Sequence, residues 1–120
     1  MLAKGRFYAN GIWSLIIDSE QQLVDCSTTS FGCNGGYYDK AWMYVGYNVS
    51  GQATSASYPY TATQQTCKYP GTTIKGASIS STSPVTYISS GSSTAMMNVL
   101  NNKRLVAVTI AVVNSFFNYK

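Results

Sequence analysis

The apolar positions between Tyr37 and Val45 recur at intervals of three and four residues, which is the spacing of one helix face. This pattern predicts a largely buried helix, and Gly46 is its expected end because glycine favours helix C-termini. Residues 2–9 are also compatible with a helix, although Gly5 lowers their helical propensity. Both segments are therefore predicted to be helical.

Two further helices are predicted from their first residues. Ser19 is followed three positions later by Gln22, the spacing of a capping box, so a short helix should begin at Ser19 and reach about Cys26. The apolar residues of Ser93–Asn102 again fall at helical spacing, and a serine just before or at the start of this segment can supply the N-cap.

The remaining pattern is that of loops and one strand. Residues 27–36 are rich in Ser, Thr, Gly and Asn and are predicted to form a loop. Residues 47–92 carry turn residues at short intervals, so we expect irregular chain with a few short strands. Val106–Val113 is β-branched and apolar at almost every position, which predicts a central strand covered on both faces.

The composition narrows the class of protein. The chain has 120 residues, of which 45% are hydrophobic and only 10% are charged, so a single modest core is expected. Its net charge of +4 comes from scattered basic residues, which argues against a nucleic-acid partner. No apolar stretch of about 18 residues is present, so we expect no membrane span, and the N-terminus lacks a secretory signal. The sequon Asn48-Val49-Ser50 favours a secretory route.

The absence of histidine excludes most hydrolytic chemistry within these residues. Ser-His-Asp triads, Cys-His pairs and histidine metal sites all need an imidazole, and the chain contains none. Of the four carboxylates, Glu20 and Asp25 lie where helix termini and caps favour negative charge, and we interpret them so. No phosphate-binding glycine pattern or paired Cys-x-x-Cys occurs. The sequence therefore predicts no catalytic residue, no metal site and no cofactor.

Three runs, taken together, carry a family resemblance. They are SEQQLVDC at Ser19–Cys26, GCNGGYYDKAW at Gly32–Trp42 and YPY at Tyr58–Tyr60. Alone, the glycine pair beside a cysteine would be read as a tight turn with a disulfide. In this order and spacing the runs resemble the papain-like cysteine peptidases, and the cathepsin L-like members in particular.

The resemblance implies an α+β papain-like fold, present in part. Residues 1–78 would be a remnant of the helical left domain, and residues 79–120 the start of the β-rich right domain. The backbone of Gly35 and Gly36 would line the substrate cleft and bind an extended peptide in the manner of a strand.

The resemblance also assigns side chains to that cleft. Tyr37 and Tyr38 would form part of the pocket for the second substrate residue upstream of the cut. Thr109 falls where the family has the opposite pocket wall. The implied partner is an extended polypeptide substrate.

The cysteines and the missing catalytic groups follow the same resemblance. Cys26 and Cys67 match a family disulfide, whereas Cys33 matches half of a second one whose partner would precede Met1, so Cys33 would be unpaired. The family's nucleophilic cysteine would also precede Met1, and its histidine and asparagine would follow Lys120.

Three functional interpretations follow from this resemblance. The first is a fragment of a papain-like cysteine endopeptidase, catalytically silent by itself and lysosomal, vacuolar or secreted by resemblance. The second is a non-catalytic module that binds peptides or a partner, and the third is a truncated gene model. Because Val106–Val113 would lack strand partners, we also expect self-association or a requirement for a complementary fragment.

Overall fold

The computed structural model describes residues 4–9, 12–49, 51–71, 73, 75–77, 85–102 and 106–119. The chain divides into two compact units, Met1–Thr86 and Tyr87–Lys120. The domain division between residues 78 and 79 stays a prediction. In the described part of the chain, no helix is both long and apolar enough to cross a membrane.

The first unit starts with an antiparallel pair of strands, β1 (Lys4–Ala9) and β2 (Ile12–Ile17), which are in register from Lys4 opposite Ile17 to Ala9 opposite Ile12. The predicted helix over residues 2–9 is therefore wrong for Lys4–Ala9. The neighbouring segment, IWSLII, is rich in β-branched and aromatic residues and offers a strand partner. The intervening sequence is Asn-Gly, the strongest short hairpin signal, and the helical interpretation overlooked it.

Helix α1 (Glu20–Cys26) follows directly, and its start confirms Ser19 as the N-cap, whereas the Gln22 side chain bonds the Ala53 N–H and not that of Ser19, so the reciprocal half of the predicted capping box does not form. Ser19 has an extended backbone, and its side-chain oxygen accepts a hydrogen bond from the Gln22 backbone N–H at 3.1 Å. Such a cap stabilises a helix by about 1 kcal/mol. The cap thus fixes where the chain turns from the hairpin into α1.

Helix α2 (Tyr38–Met43) continues into a π-helical turn, Tyr44–Asn48. The predicted stop at Gly46 is wrong, because the turn runs two residues further and places Gly46 in the interior. The Val45 carbonyl accepts from the Gly51 N–H at 3.0 Å, which gives the widened turn a backbone partner. The expected burial lies in this turn, since α2 itself has no fully buried residue.

The core of the first unit lies under α1 and the π-helical turn. Two short antiparallel strands, β3 (Gln52–Ala53) and β4 (Lys75–Ala77), close one side of it. Among the residues whose burial the structure describes, the buried apolar side chains are those of Cys26, Tyr44, Val45, Ala53 and Tyr58.

In the described residues of the second unit there are two helices, α3 (Ser93–Asn101) and α4 (Asn114–Phe117). Ser92 caps α3 through a hydrogen bond from the Ala95 N–H at 3.2 Å, so this predicted helix and its serine cap are confirmed. The predicted strand Val106–Val113 is wrong, since these residues have no regular secondary structure. A β-branched run forms a strand only where a second strand pairs with it, and none of the described residues does so.

Candidate functional site

The loop before α2 is held by its own backbone. A 3₁₀ turn at Gly32–Asn34 is closed by hydrogen bonds from the Asn34 N–H to the Phe31 carbonyl (3.0 Å) and from the Gly35 N–H to the Gly32 carbonyl (3.2 Å). The Phe31 N–H donates in turn to the Gly35 carbonyl at 2.9 Å. These bonds fix Gly35 and the chain after it without help from a neighbouring strand.

Two of the three glycines of this loop, Gly35 and Gly36, are required for different reasons. Gly35 has φ +103° and ψ −163°, a region that only glycine visits readily, yet no atom lies within 4 Å of where its Cβ would be. Gly36 is limited by space, because a Cβ there would lie 2.9 Å from both Cβ and Oγ of Ser30. The result is a bare, exposed segment of backbone packed against Ser30 on one side only.

Backbone hydrogen-bonding capacity remains open at this segment. Within the described residues, the N–H and C=O of Gly36 have no hydrogen-bond partner, whereas both polar groups of Gly35 are used inside the loop. An extended peptide that adds to a backbone needs such open groups. Gly36 is thus the residue of this segment whose backbone donor and acceptor are both open among the described residues.

Aromatic side chains flank the open backbone. Tyr37 is 65% exposed and Tyr38 is 39% exposed, and the Tyr37 carbonyl accepts the Ala41 N–H at 3.1 Å as α2 begins. Phe31, which the sequence interpretation did not single out, is bonded to Gly35 through its backbone and leaves 62% of its surface exposed. The one feature of the sequence that could have pointed to Phe31 is its position directly before Gly32. The loop and the start of α2 therefore carry three exposed aromatic side chains beside the open backbone of Gly36.

Thr109 belongs to the second unit, where its side chain is exposed in the irregular segment Val106–Val113. Gly35, Gly36, Tyr37 and Tyr38 are consecutive in the sequence, and the structure leaves all four exposed. The role of Thr109 as an opposite pocket wall stays a prediction.

The three cysteines are in two different states. Cys26, at the end of α1, is joined to Cys67 by a disulfide with a Cα–Cα distance of 4.9 Å, which is the pair that the resemblance implies. Cys33 is a free, exposed thiol in the 3₁₀ turn before the glycine pair. The disulfide closes a loop across 41 residues and holds the end of α1 to the chain around Cys67.

Gln22 of α1 holds β3 and the chain before it. Its Oε1 accepts the Ala53 N–H at 2.6 Å, and its Nε2 lies 3.5 Å from the Gly51 carbonyl and 3.4 Å from the Tyr44 hydroxyl. Gln22 is fully buried, so these partners replace the water that the amide loses on folding. Burial also raises the pKa of Tyr44.

Gln21 does the same for a second segment of irregular chain. Its Oε1 accepts the Thr61 N–H at 2.9 Å, and its Nε2 donates to the Thr63 carbonyl at 2.7 Å. The same Nε2 donates to Asp25 Oδ1 at 2.8 Å. The adjacent glutamines of α1 therefore organise two different loops.

Asp25 completes this network. Its sequence interpretation as a favourable helix-terminal charge is wrong, because it lies in the last turn of α1. Its Oδ1 accepts the Gln65 N–H at 2.7 Å, and its Oδ2 accepts the Tyr58 hydroxyl at 2.8 Å. The Tyr58 oxygen accepts the Lys68 N–H at 3.1 Å, and burial raises the pKa of that hydroxyl. Negative charge near a helix C-terminus is unfavourable by itself, so these donors are what stabilise the carboxylate.

The sequence profile described as "Papain family cysteine protease" matches residues 3–120 of the chain. The chain is 36% identical over 104 residues to the oryzain gamma chain of Oryza sativa subsp. japonica, covering 85% of this chain and 27% of that protein. It is 35% identical over 104 residues to a cathepsin L-like proteinase of Fasciola hepatica, covering 85% and 30%. The chain thus spans less than a third of the length of these relatives.

A solved structure is also similar over part of the chain. This is the proform of the ragweed pollen allergen Amb a 11, a cysteine protease, with 42% identity and a TM-score of 0.46. The match covers 52% of this chain and 19% of that one.

Proposed function

Because the chain belongs to the papain family of cysteine proteases, we propose that it functions within a papain-like cysteine endopeptidase, which hydrolyses peptide bonds in an extended polypeptide with a thiol nucleophile. The observation that carries this proposal is the open backbone at Gly36, next to Gly35 in its glycine-only conformation. It supports a role for this segment as one wall of the peptide-binding cleft.

Peptide binding at this wall would use the backbone first. The free N–H and C=O of Gly36 offer one donor and one acceptor to an extended peptide, each hydrogen bond contributing about 1 kcal/mol. Successive side chains of an extended peptide point to opposite sides, so every second one would meet the aromatic surface of Tyr37 and Tyr38. This arrangement favours apolar or aromatic substrate residues at that position.

The chemical step would need groups that these 120 residues do not contain. A papain-type thiol is activated by an imidazole, and the chain has no histidine. Two of its cysteines are bonded to each other, and Cys33 is an exposed thiol in a tight turn. The proposed contribution of this chain is therefore substrate binding, with no catalytic residue among its own side chains.

A non-catalytic module that binds peptides or a partner is the second candidate, and the lack of histidine together with the open glycine backbone favours it. The disulfide between Cys26 and Cys67 supports an oxidising location for either candidate, which agrees with a lysosomal, vacuolar or secreted protein.

Two measurements on the full chain test the proposal. A fluorogenic dipeptide substrate under reducing conditions should show no turnover, and turnover that disappears on titration with a thiol-directed covalent inhibitor would contradict the assignment of catalytic groups. Fluorescence anisotropy of a labelled hexapeptide with aromatic side chains should show binding, with a Kd about tenfold weaker in Tyr37→Ala, because truncating an aromatic anchor costs over 1 kcal/mol.

The matched control is Tyr119→Ala, which removes a tyrosine that is 87% exposed in the second unit. It should leave the Kd unchanged. Equal weakening by both substitutions, or no binding by the unmodified chain, would overturn the peptide-binding role.

A further inference from the structure

Asp18 is a buried carboxyl at the junction between β2 and α1. The residue is 7% exposed, and its Oδ1 has no hydrogen-bond partner among the described residues. Backbone bonds fix the chain on both sides of it, from the Ser55 N–H to the Ile17 carbonyl (2.7 Å) and from the Ser19 N–H to the Ala53 carbonyl (2.8 Å). The backbone on both sides of Asp18 is therefore held to β3 and to the chain that directly follows it.

Gly76 of β4 closes the other side of the carboxyl. A Cβ at Gly76 would lie 2.8 Å from Asp18 Oδ1 and 3.0 Å from the methyl carbons Cγ2 of Ile16 and Thr54. The unpartnered oxygen thus lies close to Gly76, near a point that two methyl carbons also approach, and no described donor reaches it. An ionised carboxylate in such surroundings loses its hydration without a compensating donor, and this is costly.

No described residue of the surrounding elements donates a hydrogen bond to this oxygen, although charged residues occur on those elements. Lys75 precedes Gly76 in β4, and its Cδ and Cε lie beside Gly51, whereas Glu20 of α1 carries the same charge as Asp18. On the hairpin, Lys4 is in register with Ile17. Neither β2 nor β3 contains a charged residue. Burial alone raises the pKa of the Asp18 carboxyl above its ordinary value.

We propose that Asp18 makes the junction between the β1–β2 hairpin and the β3–β4 pair an acid-stabilised contact, closed when the carboxyl is protonated and weakened when it ionises. A neutral carboxyl loses far less solvation on burial and also gains a proton with which to donate. The folded chain therefore binds this proton more tightly than the unfolded chain does.

The direction of the pH dependence follows from that difference. The full stabilisation is present below the unfolded pKa of about 4, and it is lost as the pH rises through the higher pKa of the folded state. Each unit by which the pKa is raised increases the unfolding equilibrium constant tenfold across this window. The first unit should thus be tighter in an acidic environment than at neutral pH.

The test is denaturant unfolding of the full chain between pH 4 and pH 7.5, compared with Asp18→Asn. The denaturant concentration at the unfolding midpoint should fall with rising pH in the unmodified chain. Asparagine has a neutral side chain of the same shape as aspartate, so Asp18→Asn should remove that fall. Asp39→Asn removes a carboxyl from α2 and should leave the fall intact. An unchanged pH dependence in Asp18→Asn would overturn the proposal.

A second measurement decides the question if Asp18→Asn does not fold. Carbon-13 NMR of the carboxyl groups of the unmodified chain should give Asp18 a midpoint above 4, with protection of the Ser55 amide against hydrogen exchange decreasing over the same range. A midpoint at or below 4, or Ser55 protection that does not follow the titration, would overturn the proposal.

Discussion

Helix α1 buries polar side chains, whereas the segment Val106–Val113 leaves apolar side chains exposed. Gln21 and Gln22 are polar and fully buried, and every polar atom of their amides has a hydrogen-bond partner. Val108 and Ile110 are apolar, yet 60% and 62% of their surfaces are exposed. Available partners thus decide burial more than polarity does: a satisfied amide can lie in a core, and an apolar side chain without packing neighbours cannot.

Of the changes made to compare the two regions, removing a buried amide of α1 should lower the free energy of unfolding most. Gln22→Ala leaves the Ala53 N–H and the Gly51 carbonyl buried without their side-chain partner, so we expect a loss of about 3 kcal/mol in the free energy of unfolding. Denaturant titration monitored by circular dichroism would measure it.

Gln65→Ala is the matched control, because the Gln65 side chain is exposed and, within the described part of the chain, accepts a hydrogen bond only from Lys68 Nζ at 3.3 Å. Its cost should be below about 0.5 kcal/mol. If the two substitutions cost the same, the amide of Gln22 would not be what holds β3.

A smaller effect is expected from removing one hydroxyl of the same network. Tyr58→Phe deletes the donor to Asp25 and the acceptor of the Lys68 N–H, but Asp25 keeps its bonds from Gln21 and Gln65. We expect a loss of about 1 kcal/mol, measured as a shift in the thermal midpoint.

Tyr60→Phe provides the comparison, since Tyr60 is 57% exposed and lies two residues away. It should shift the midpoint by less than the error of the measurement. A loss in Tyr58→Phe no larger than this would show that the remaining bonds of Asp25 carry the whole network.

The smallest stability effect is expected on the apolar side of the contrast. Val108→Lys places a charge on a side chain that is already exposed, so the free energy of unfolding should change by less than about 0.5 kcal/mol. We expect less self-association in size-exclusion chromatography, because a charge blunts an exposed β-branched segment.

The same substitution at Val45, which is 2% exposed in the core, should prevent folding or cost several kcal/mol. A large destabilisation by Val108→Lys would mean that this segment is packed in solution.

Local chemistry explains which elements could be predicted from the sequence. The serine caps of α1 and α3 depend on a residue and its neighbour three positions away, and both were predicted. The strand Lys4–Ala9 was missed because its identity depends on pairing with Ile12–Ile17. The strand predicted at Val106–Val113 failed for the converse reason, since propensity does not provide a partner.

The residues of the candidate site also differ in whether the sequence alone could predict their roles. The freedom of the backbone at Gly35 and Gly36 could be predicted from residue type, because only glycine serves there. The roles of Gln21 and Gln22 could not, since their partners lie about 30 to 40 positions further along the chain. Such contacts become visible only when the loops have been placed in space.

The conformation of Gly35 has a consequence for chemical synthesis of the chain. Reversing the signs of its φ and ψ gives the ordinary extended conformation of an L-residue, so Gly35 occupies the mirror image of a β-strand position. An inspection of volume alone would accept L-alanine there, because nothing lies near its Cβ. Handedness excludes it, whereas the backbone of Gly35 has the conformation that D-alanine prefers, so D-alanine there would restrict the unfolded chain to the native backbone.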